Sequence, residues 1–259
     1  MLQRHWQTMA LRPCWQYRRP VARPDSAVFD PLCPDVADVA ALGAVDVVLG
    51  LAGITPGRGN LELNTALARA AVQIGARTGA ARVFVTSSAA VYGPADTALH
   101  EDLELHPHTP YGHAKAAMEA ALRDSDAPYT VLRIGNVAGA DALLDQPGPT
   151  RVLDRFPNGQ GPLRSYIGPR ALADILAGLV TQAAQGRALP ERLNIALPGA
   201  VAMADLCAAA GLGVAWRPAP ADALARVELD VSRLGLFHPL VPADAAQIVA
   251  QWRTDRALV

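Results

Sequence analysis

The stretch from Arg82 to Gly93, RVFVTSSAAVYG, decides the fold. Val83, Phe84 and Val85 form a short apolar run of the kind expected of a strand covered on both faces in a parallel sheet. The run ends in two hydroxyls, Ser87 and Ser88. Upstream, Leu61–Thr78 carries apolar residues at helical spacing (Leu63, Leu67, Ala71, Ile74), and Val45–Ala52 (VDVVLGLA) reads as a second buried strand. Downstream, Ala-rich Tyr111–Leu122 reads as a helix and Tyr129–Ile134 (YTVLRI) as a third strand. Strands alternating with helices specify right-handed βαβ units and a doubly wound parallel sheet.

Working outward, Ala27–Phe29 is a short apolar run ending at Asp30, and Val36–Leu42 is a short helix stopped by Gly43. Towards the C-terminus, helices are expected over Ala171–Ala184, Ala202–Ala210 and Ala243–Arg253, with short strands at Leu193–Ala196 and Val214–Trp216. Asp145–Arg164 is rich in Pro and Gly and reads as an excursion on the substrate side. The expected organisation is a Rossmann-like domain over residues 1–140, then a mixed region over 141–259 with the last sheet elements and a small substrate lobe. The first 24 residues hold five Arg and no acidic residue, and three readings of them stand: a strand with its loop, a targeting segment, or the remainder of a domain. They contain no apolar core of the kind a secretory signal needs.

Composition narrows the function. Of 259 residues 51% are apolar, and the formal net charge of −1 lacks the basic excess of a nucleic-acid binder. No apolar stretch reaches the ~18 residues of a membrane span. The three cysteines have no metal-ligand spacing, and their odd number suits a reducing cytoplasm. No metal is expected. Lys115 is the only lysine among 23 basic residues. An amine can do chemistry that a guanidinium cannot, because its pKa shifts readily with surroundings.

That lysine belongs to Pro110-Tyr-Gly-His-Ala-Lys115. On a helix Tyr111 and Lys115 lie on one face, where a cation beside a phenol lowers its pKa from about 10 towards working pH. Such a tyrosine can serve as general acid or base on a hydroxyl or carbonyl. Ser88, at the carboxyl end of a parallel strand, lies where open α/β sheets bind ligands and can hold the same oxygen. Each motif alone is weak; their conjunction, using the one lysine, is specific.

At these residues the chain resembles the extended branch of the short-chain dehydrogenases, the NAD-dependent epimerase/dehydratase family. The family's S-S-x-x-V-Y-G is matched by Ser87–Gly93, with Ser88 as the catalytic serine, and its P-Y-x-x-x-K by Pro110–Lys115. Its L-A-G beside the cofactor is matched by Leu51-Ala52-Gly53, the Asn early in the next helix by Asn64, and R-x-x-N-V-x-G by Arg133–Gly139. The resemblance implies NAD or NADP as cofactor, contacted by Asp30, Ala52, Gly53, Asn64, Tyr111 and Lys115. It implies a small-molecule substrate held by Ser88, Asn136 and Arg164, and a homodimer formed through the Tyr-Lys helix. Asp30 is equally readable as a turn carboxylate and Arg164 as a surface cation.

The chain also departs from the family. There is no Gly before Gly43, so the opening strand and its G-x-x-G-x-x-G phosphate loop are missing from these residues. Met1–Trp6 resembles the tail of the helix after that loop, and Gln7–Arg12 the second strand. A gap at the centre of the sheet, or a makeshift strand from Gln7–Arg12, is therefore expected, together with poor NAD(P) binding. Ala89 in place of an acidic pair argues against dehydratase chemistry. The reading is an NAD(P)-dependent oxidoreductase or epimerase acting at a carbinol or carbonyl carbon of a small or sugar-like substrate. The alternative is a non-catalytic sensor or scaffold on the same fold.

Overall fold

The structure, a computed structural model, describes residues 1–95, 97–125 and 127–257, with the side chain of Thr8 left aside. Its centre is a parallel sheet of four strands in the order β10-β5-β4-β3: β3 (Val47–Gly50), β4 (Arg82–Ser88), β5 (Tyr129–Ile134) and β10 (Arg192–Ile195). Alternation along β4 sends Val83 and Val85 to one face and Phe84 to the other. Val83 and Val85 join Val131, Met118 and Leu122 beneath α3 (Leu63–Thr78) and α4 (Pro110–Ala120). Phe84 joins Leu132, Leu172, Ile175 and Leu193 beneath α5 (Pro169–Ala184). Helices therefore cover both faces, as the doubly wound arrangement requires, and the expected α/β fold is the one observed.

The remaining elements surround this sheet. At the N-terminal side lie α1 (Leu2–His5), β1 (Trp15–Tyr17), β2 (Ser26–Val28) and α2 (Val36–Ala40). After β5 come β6 (Asn136–Val137), β7 (Thr150–Arg155), β8 (Leu163–Arg164) and β9 (Tyr166–Ile167). Beyond β10 follow β11 (Val201–Ala202), α6 (Met203–Ala209), β12 (Gly213–Pro218), β13 (Arg226–Val227), α7 (Ser232–Gly235) and α8 (Ala245–Ala257). β7 pairs with β12, β6 with β9, and β8 with both β11 and β13. The strand over 150–155 falls in the segment that composition alone marks as a Pro- and Gly-rich excursion. α5 begins at Pro169 with no side-chain cap from its own chain entry; instead Gln251 on α8 accepts the Ala171 N–H at 3.0 Å.

β1 and β2 form a parallel pair of their own, hydrogen-bonded to no other strand. Between this pair and β3 lies a cavity of about 1210 Å³, lined by Trp15 and Ala27 on one side and by Val47, Leu49 and Ala71 on the other. In the doubly wound order this is the place of a central strand between the second and fourth. The gap expected from the sequence is present, and Gln7–Arg12 does not fill it. Trp6–Thr8 form a 3-10 turn, and residues 9–13 run along the cavity wall without strand pairing. The expected second strand is instead β1, eight residues later than Gln7, because Trp15–Tyr17 pair with Ser26–Val28, whereas Met9 closes a turn onto the Trp6 carbonyl. Trp6 anchors the N-terminus: its indole N–H donates to the Ala173 carbonyl at 3.0 Å.

β3 is thus an edge strand despite an apolar sequence suited to burial on both sides. Its four residues are only half-buried, whereas Val83 and Phe84 on β4 have no exposure. Amides of Val47–Gly50 are expected to exchange with solvent orders of magnitude faster than those of Val83–Val85, since local opening of an unpaired edge needs little disruption. Equal protection of both strands in native-state hydrogen exchange would show that the edge is covered.

Candidate active site at the β4 edge

α4 is built to start against the end of β4. Thr109 caps it, its Oγ1 accepting the Gly112 N–H at 3.0 Å, and Pro110 takes the first helical position. Gly112 has no room for a side chain: a Cβ there would lie 2.3 Å from the Ala90 carbonyl oxygen. This close approach brings the first turn of α4 onto the 3-10 turn Ala89–Val91 that follows Ser88. Ser88, the last residue of β4, accepts the Ala90 N–H at 3.2 Å.

Tyr111 and Lys115 share one face of α4, with the Lys115 Nζ 5.9 Å from the centre of the Tyr111 ring. Lys115 is buried and donates to the Thr86 carbonyl of β4 at 2.9 Å. Burial pushes its pKa down from 10.5 to about 8, with the charge of Glu119 acting against the shift. For Tyr111 the direction differs from the sequence-based expectation. Burial pushes the phenol up, and the Ser88 side chain pulls it part of the way back. The helical spacing places the two side chains together as expected, but the dry pocket around the ring outweighs a cation nearly 6 Å away.

Asn64 is buried at the start of α3, where it clamps the segment after β3. Its Oδ1 accepts the Ile54 N–H, and its Nδ2 donates to the Ile54 and Leu61 carbonyls, at 2.9 to 3.0 Å. The clamp sets Ala52 and Gly53, both exposed, beside the lysine. A Cβ on Gly53 would lie 3.3 Å from the Lys115 Nζ and 3.2 Å from the Asn64 Oδ1. The structure therefore brings Gly53, Asn64, Ser88, Tyr111 and Lys115 to one edge of the sheet. An exposed Ala-Gly turn over a buried amine and a phenol suits the ribose and nicotinamide end of a dinucleotide, and these residues fit it.

Three expected site residues have other partners in this structure. The Asp30 carboxylate, at the end of β2, accepts the Leu32 N–H and Arg18, which hold its pKa below the usual carboxylate range. The Arg164 guanidinium donates to the carbonyls of Leu163 and Leu224 at 2.8 Å, tying β8 to the segment before β13. Asn136 lies on β6 beside β9, where its side chain reaches the Tyr166 hydroxyl, which donates to the Asp141 carboxylate at 2.5 Å.

Behind the Tyr-Lys face lies a buried polar cluster that motif reading gave no role. Arg133 forms an ion pair with Glu119 at 2.7 Å, and its Nη1 donates to the Tyr92 hydroxyl at 2.9 Å and the Glu101 carbonyl at 3.0 Å. Tyr92 in turn donates to Asn194 at 2.7 Å, and burial pushes its pKa up to about 12. The signal that could have found Glu119 is its spacing, four residues after Lys115 on the same helical face. Among the described residues no cluster of His, Cys, Asp and Glu could hold a metal, and no helix is long and apolar enough to cross a membrane.

A Ser-Tyr-Lys edge at the carboxyl end of β4 in a doubly wound sheet fits a short-chain dehydrogenase type of fold. Residues 35–160 match the family model described as NAD dependent epimerase/dehydratase family. The resemblance read from the sequence is borne out by this match. A UDP-glucose 4-epimerase of Azospirillum brasilense is 43% identical over 70 residues, a stretch that is 25% of this chain and 20% of that relative. Two solved structures share the fold. A UDP-glucose-4-epimerase from Stenotrophomonas maltophila, with bound NAD and formylated UDP-arabinopyranose, superposes with a TM-score of 0.70 at 22% identity, over 89% of this chain and 83% of that one. A short-chain dehydrogenase/reductase superfamily protein from Agrobacterium tumefaciens, with bound NAD, gives 0.71 at 17% identity, over 94% and 89%.

The depressed amine has a consequence for stability that needs no substrate. Below about pH 8 Lys115 is protonated in both folded and unfolded chains, and the full cost of burying its charge is present. Between about pH 8 and its ordinary 10.5 the unfolded chain binds more protons, so this group's contribution to stability rises with pH. Lys115→Met is expected to remove that rise in a series of urea denaturation curves across the window. An unchanged pH profile would mean that the amine is not depressed.

Proposed function

We propose that this chain is an NAD(P)-dependent oxidoreductase or epimerase acting at a carbinol or carbonyl carbon of a small or sugar-like substrate. The observation that carries the reading is the convergence of Ser88, Tyr111 and the buried, solitary Lys115 at one strand edge. Ser88 binds the substrate oxygen through its hydroxyl. Tyr111 accepts the proton of a substrate hydroxyl as the carbon is oxidised and returns it on reduction. Lys115, protonated at neutral pH, stabilises the phenolate; substrate that closes the site removes the competing water and strengthens this attraction. When bound, NAD or NADP supplies the hydride chemistry. Ala52, Gly53, Tyr111 and Lys115 would hold its nicotinamide side, Asn64 would shape the turn that receives it, and Asp30 would meet its adenine side.

The division of labour assigned to the chain gives residues 1–140 to the cofactor and 141–259, with Asn136 and Arg164 at the boundary, to the substrate. In that role Arg164 would have to exchange its present carbonyl partners for the substrate. The UDP-glucose 4-epimerases among the relatives favour a sugar hydroxyl as the reacting group. The reading includes a homodimer formed through α4 and a place in the reducing cytoplasm, which the three free cysteines support. A second reading, a non-catalytic sensor or scaffold on the same fold, is favoured by one observation, the cavity that interrupts the sheet beside the cofactor edge.

Turnover of a panel of sugar nucleotides and secondary alcohols with NAD or NADP, read both as net reduced cofactor and as epimer formed, separates the two, since an epimerase returns the hydride and leaves no net reduced cofactor. Tyr111→Phe is expected to lower turnover by about 10² to 10⁴-fold while the melting temperature stays close to the parent. Lys115→Arg, which keeps the charge but not the compact ammonium, is expected to lose most turnover as well. A fully active Tyr111→Phe variant, or no turnover of any panel member by the parent, would remove the catalytic reading.

A further inference from the structure

The buried cluster around Glu119 lies directly behind the proposed proton-exchange pair and has no part in the mechanism above. Glu119 follows Tyr111 by two turns and Lys115 by one on the same face of α4, and is 7% exposed. Groups from three elements meet at its carboxylate. From β4, the Ser87 hydroxyl donates to Oε1 at 2.5 Å. From β5, Arg133 donates through Nε to both oxygens at 3.2 Å and through Nη2 to Oε2 at 2.7 Å. From α4 itself, Lys115 stands one helical turn before Glu119, whose charge works against the lowering of its pKa by burial. On the far side of Arg133 stand Tyr92 and Glu101, the latter 3.7 Å from Arg233.

Two roles compete for this carboxylate. A structural role requires only that Arg133 have a partner, because one unpaired buried charge is strongly destabilising. An electrostatic role follows from the charge count around it. Arg133 and Lys115 are two buried cations on either side of Glu119, which pairs with the first at 2.7 Å and lies one helical turn from the second, while the carboxylate of Glu101 faces Arg233. An opposite charge at ~4–6 Å favours the charged form of an amine, and the low interior dielectric keeps that effect large. Ser87 adds a mechanical link, since it ties the same carboxylate to the strand residue next to Ser88.

We propose that Glu119 is a positioning residue for the Tyr111–Lys115 pair, keeping Lys115 protonated at neutral pH and fixing the Ser87–Ser88 strand edge against α4. The inference rests on the proposed function for its purpose but not for its test. Because Lys115 is the only lysine, the full chain labelled with [ε-¹³C]lysine gives one resonance. Its pH titration reads the amine directly, with neither substrate nor cofactor.

Glu119→Gln keeps the shape and removes the charge. It is expected to move the Lys115 midpoint down by about one unit or more. Glu119→Asp, which keeps the charge, is expected to stay close to the parent. A midpoint unchanged in Glu119→Gln, even with a lowered melting temperature, makes the residue purely structural and overturns the proposal. Should Glu119→Gln fail to fold for want of a partner to Arg133, the joint replacement Glu119→Gln with Arg133→Gln removes both charges together. There Arg133→Gln alone is the reference, so that the Glu119 charge is the one difference: a lower midpoint in the joint variant is expected, and equal midpoints overturn the proposal. A midpoint that moves as expected, alongside turnover that Tyr111→Phe leaves intact, would uphold this coupling and remove the catalytic reading alone.

Discussion

The ion pair between Arg133 on β5 and Glu119 on α4 is the contact on which the geometry of the site depends. Both side chains are almost fully buried, so each would be costly alone, and removing one partner of such a pair typically costs about 3–5 kcal/mol. The pair is not isolated. Ser87, Tyr92, the Glu101 carbonyl and Asn194 complete the hydrogen bonds around it, so that β4, β5, α4 and β10 are joined through polar groups as well as through backbone ladders. A hydrophobic contact in the same place would tolerate sliding, whereas a satisfied polar network holds one register. That register sets Ser88 at the strand end and Tyr111 and Lys115 one helix face away.

Against this fixed half of the sheet stands an interrupted one. β3 carries the sequence of an interior strand and the exposure of an edge, because the cavity separates it from the β1–β2 pair. The interruption falls on the side where a phosphate-binding turn is placed in doubly wound sheets. The segment after β3, by contrast, is held by the Asn64 clamp, with Gly53 set close to the buried Lys115 amine. The protein thus combines an ordered edge that holds Ser88, Tyr111 and Lys115 with an interrupted sheet beside it.

Much of this was legible in the sequence. Val45–Ala52, Arg82–Thr86 and Tyr129–Ile134 read as strands because apolar runs bounded by turns fit a sheet covered on both faces, and all three contain strands in the structure. Ser88, Tyr111 and Lys115 could be named because helical periodicity and a strand terminus fix where such side chains point. The position of β1 could not: Trp15–Tyr17 is too short to stand out as a strand, and the pairing with Ser26–Val28 that makes it one is not written in its own residues. The direction of the Tyr111 shift also escaped, since spacing reports neighbours but not the water excluded around a ring. Arg164 and Asp30 matched their motifs, yet their hydrogen bonds go to Leu224 and Arg18, partners too distant in sequence or too weakly patterned to foresee. Glu119 was visible as a helical neighbour of Lys115, but the three-way contact that gives it meaning exists only once β4 and β5 are paired.

The proposed function requires the residues around Lys115 to receive the nicotinamide side of the cofactor even though the sheet beside them is interrupted. Titrating the [ε-¹³C]lysine-labelled protein with NADH, while following the single Lys115 resonance, tests it most directly. The expected result is a saturable shift of that resonance with an affinity weaker than micromolar. A Lys115 resonance that stays in place at millimolar NADH would contradict the claim.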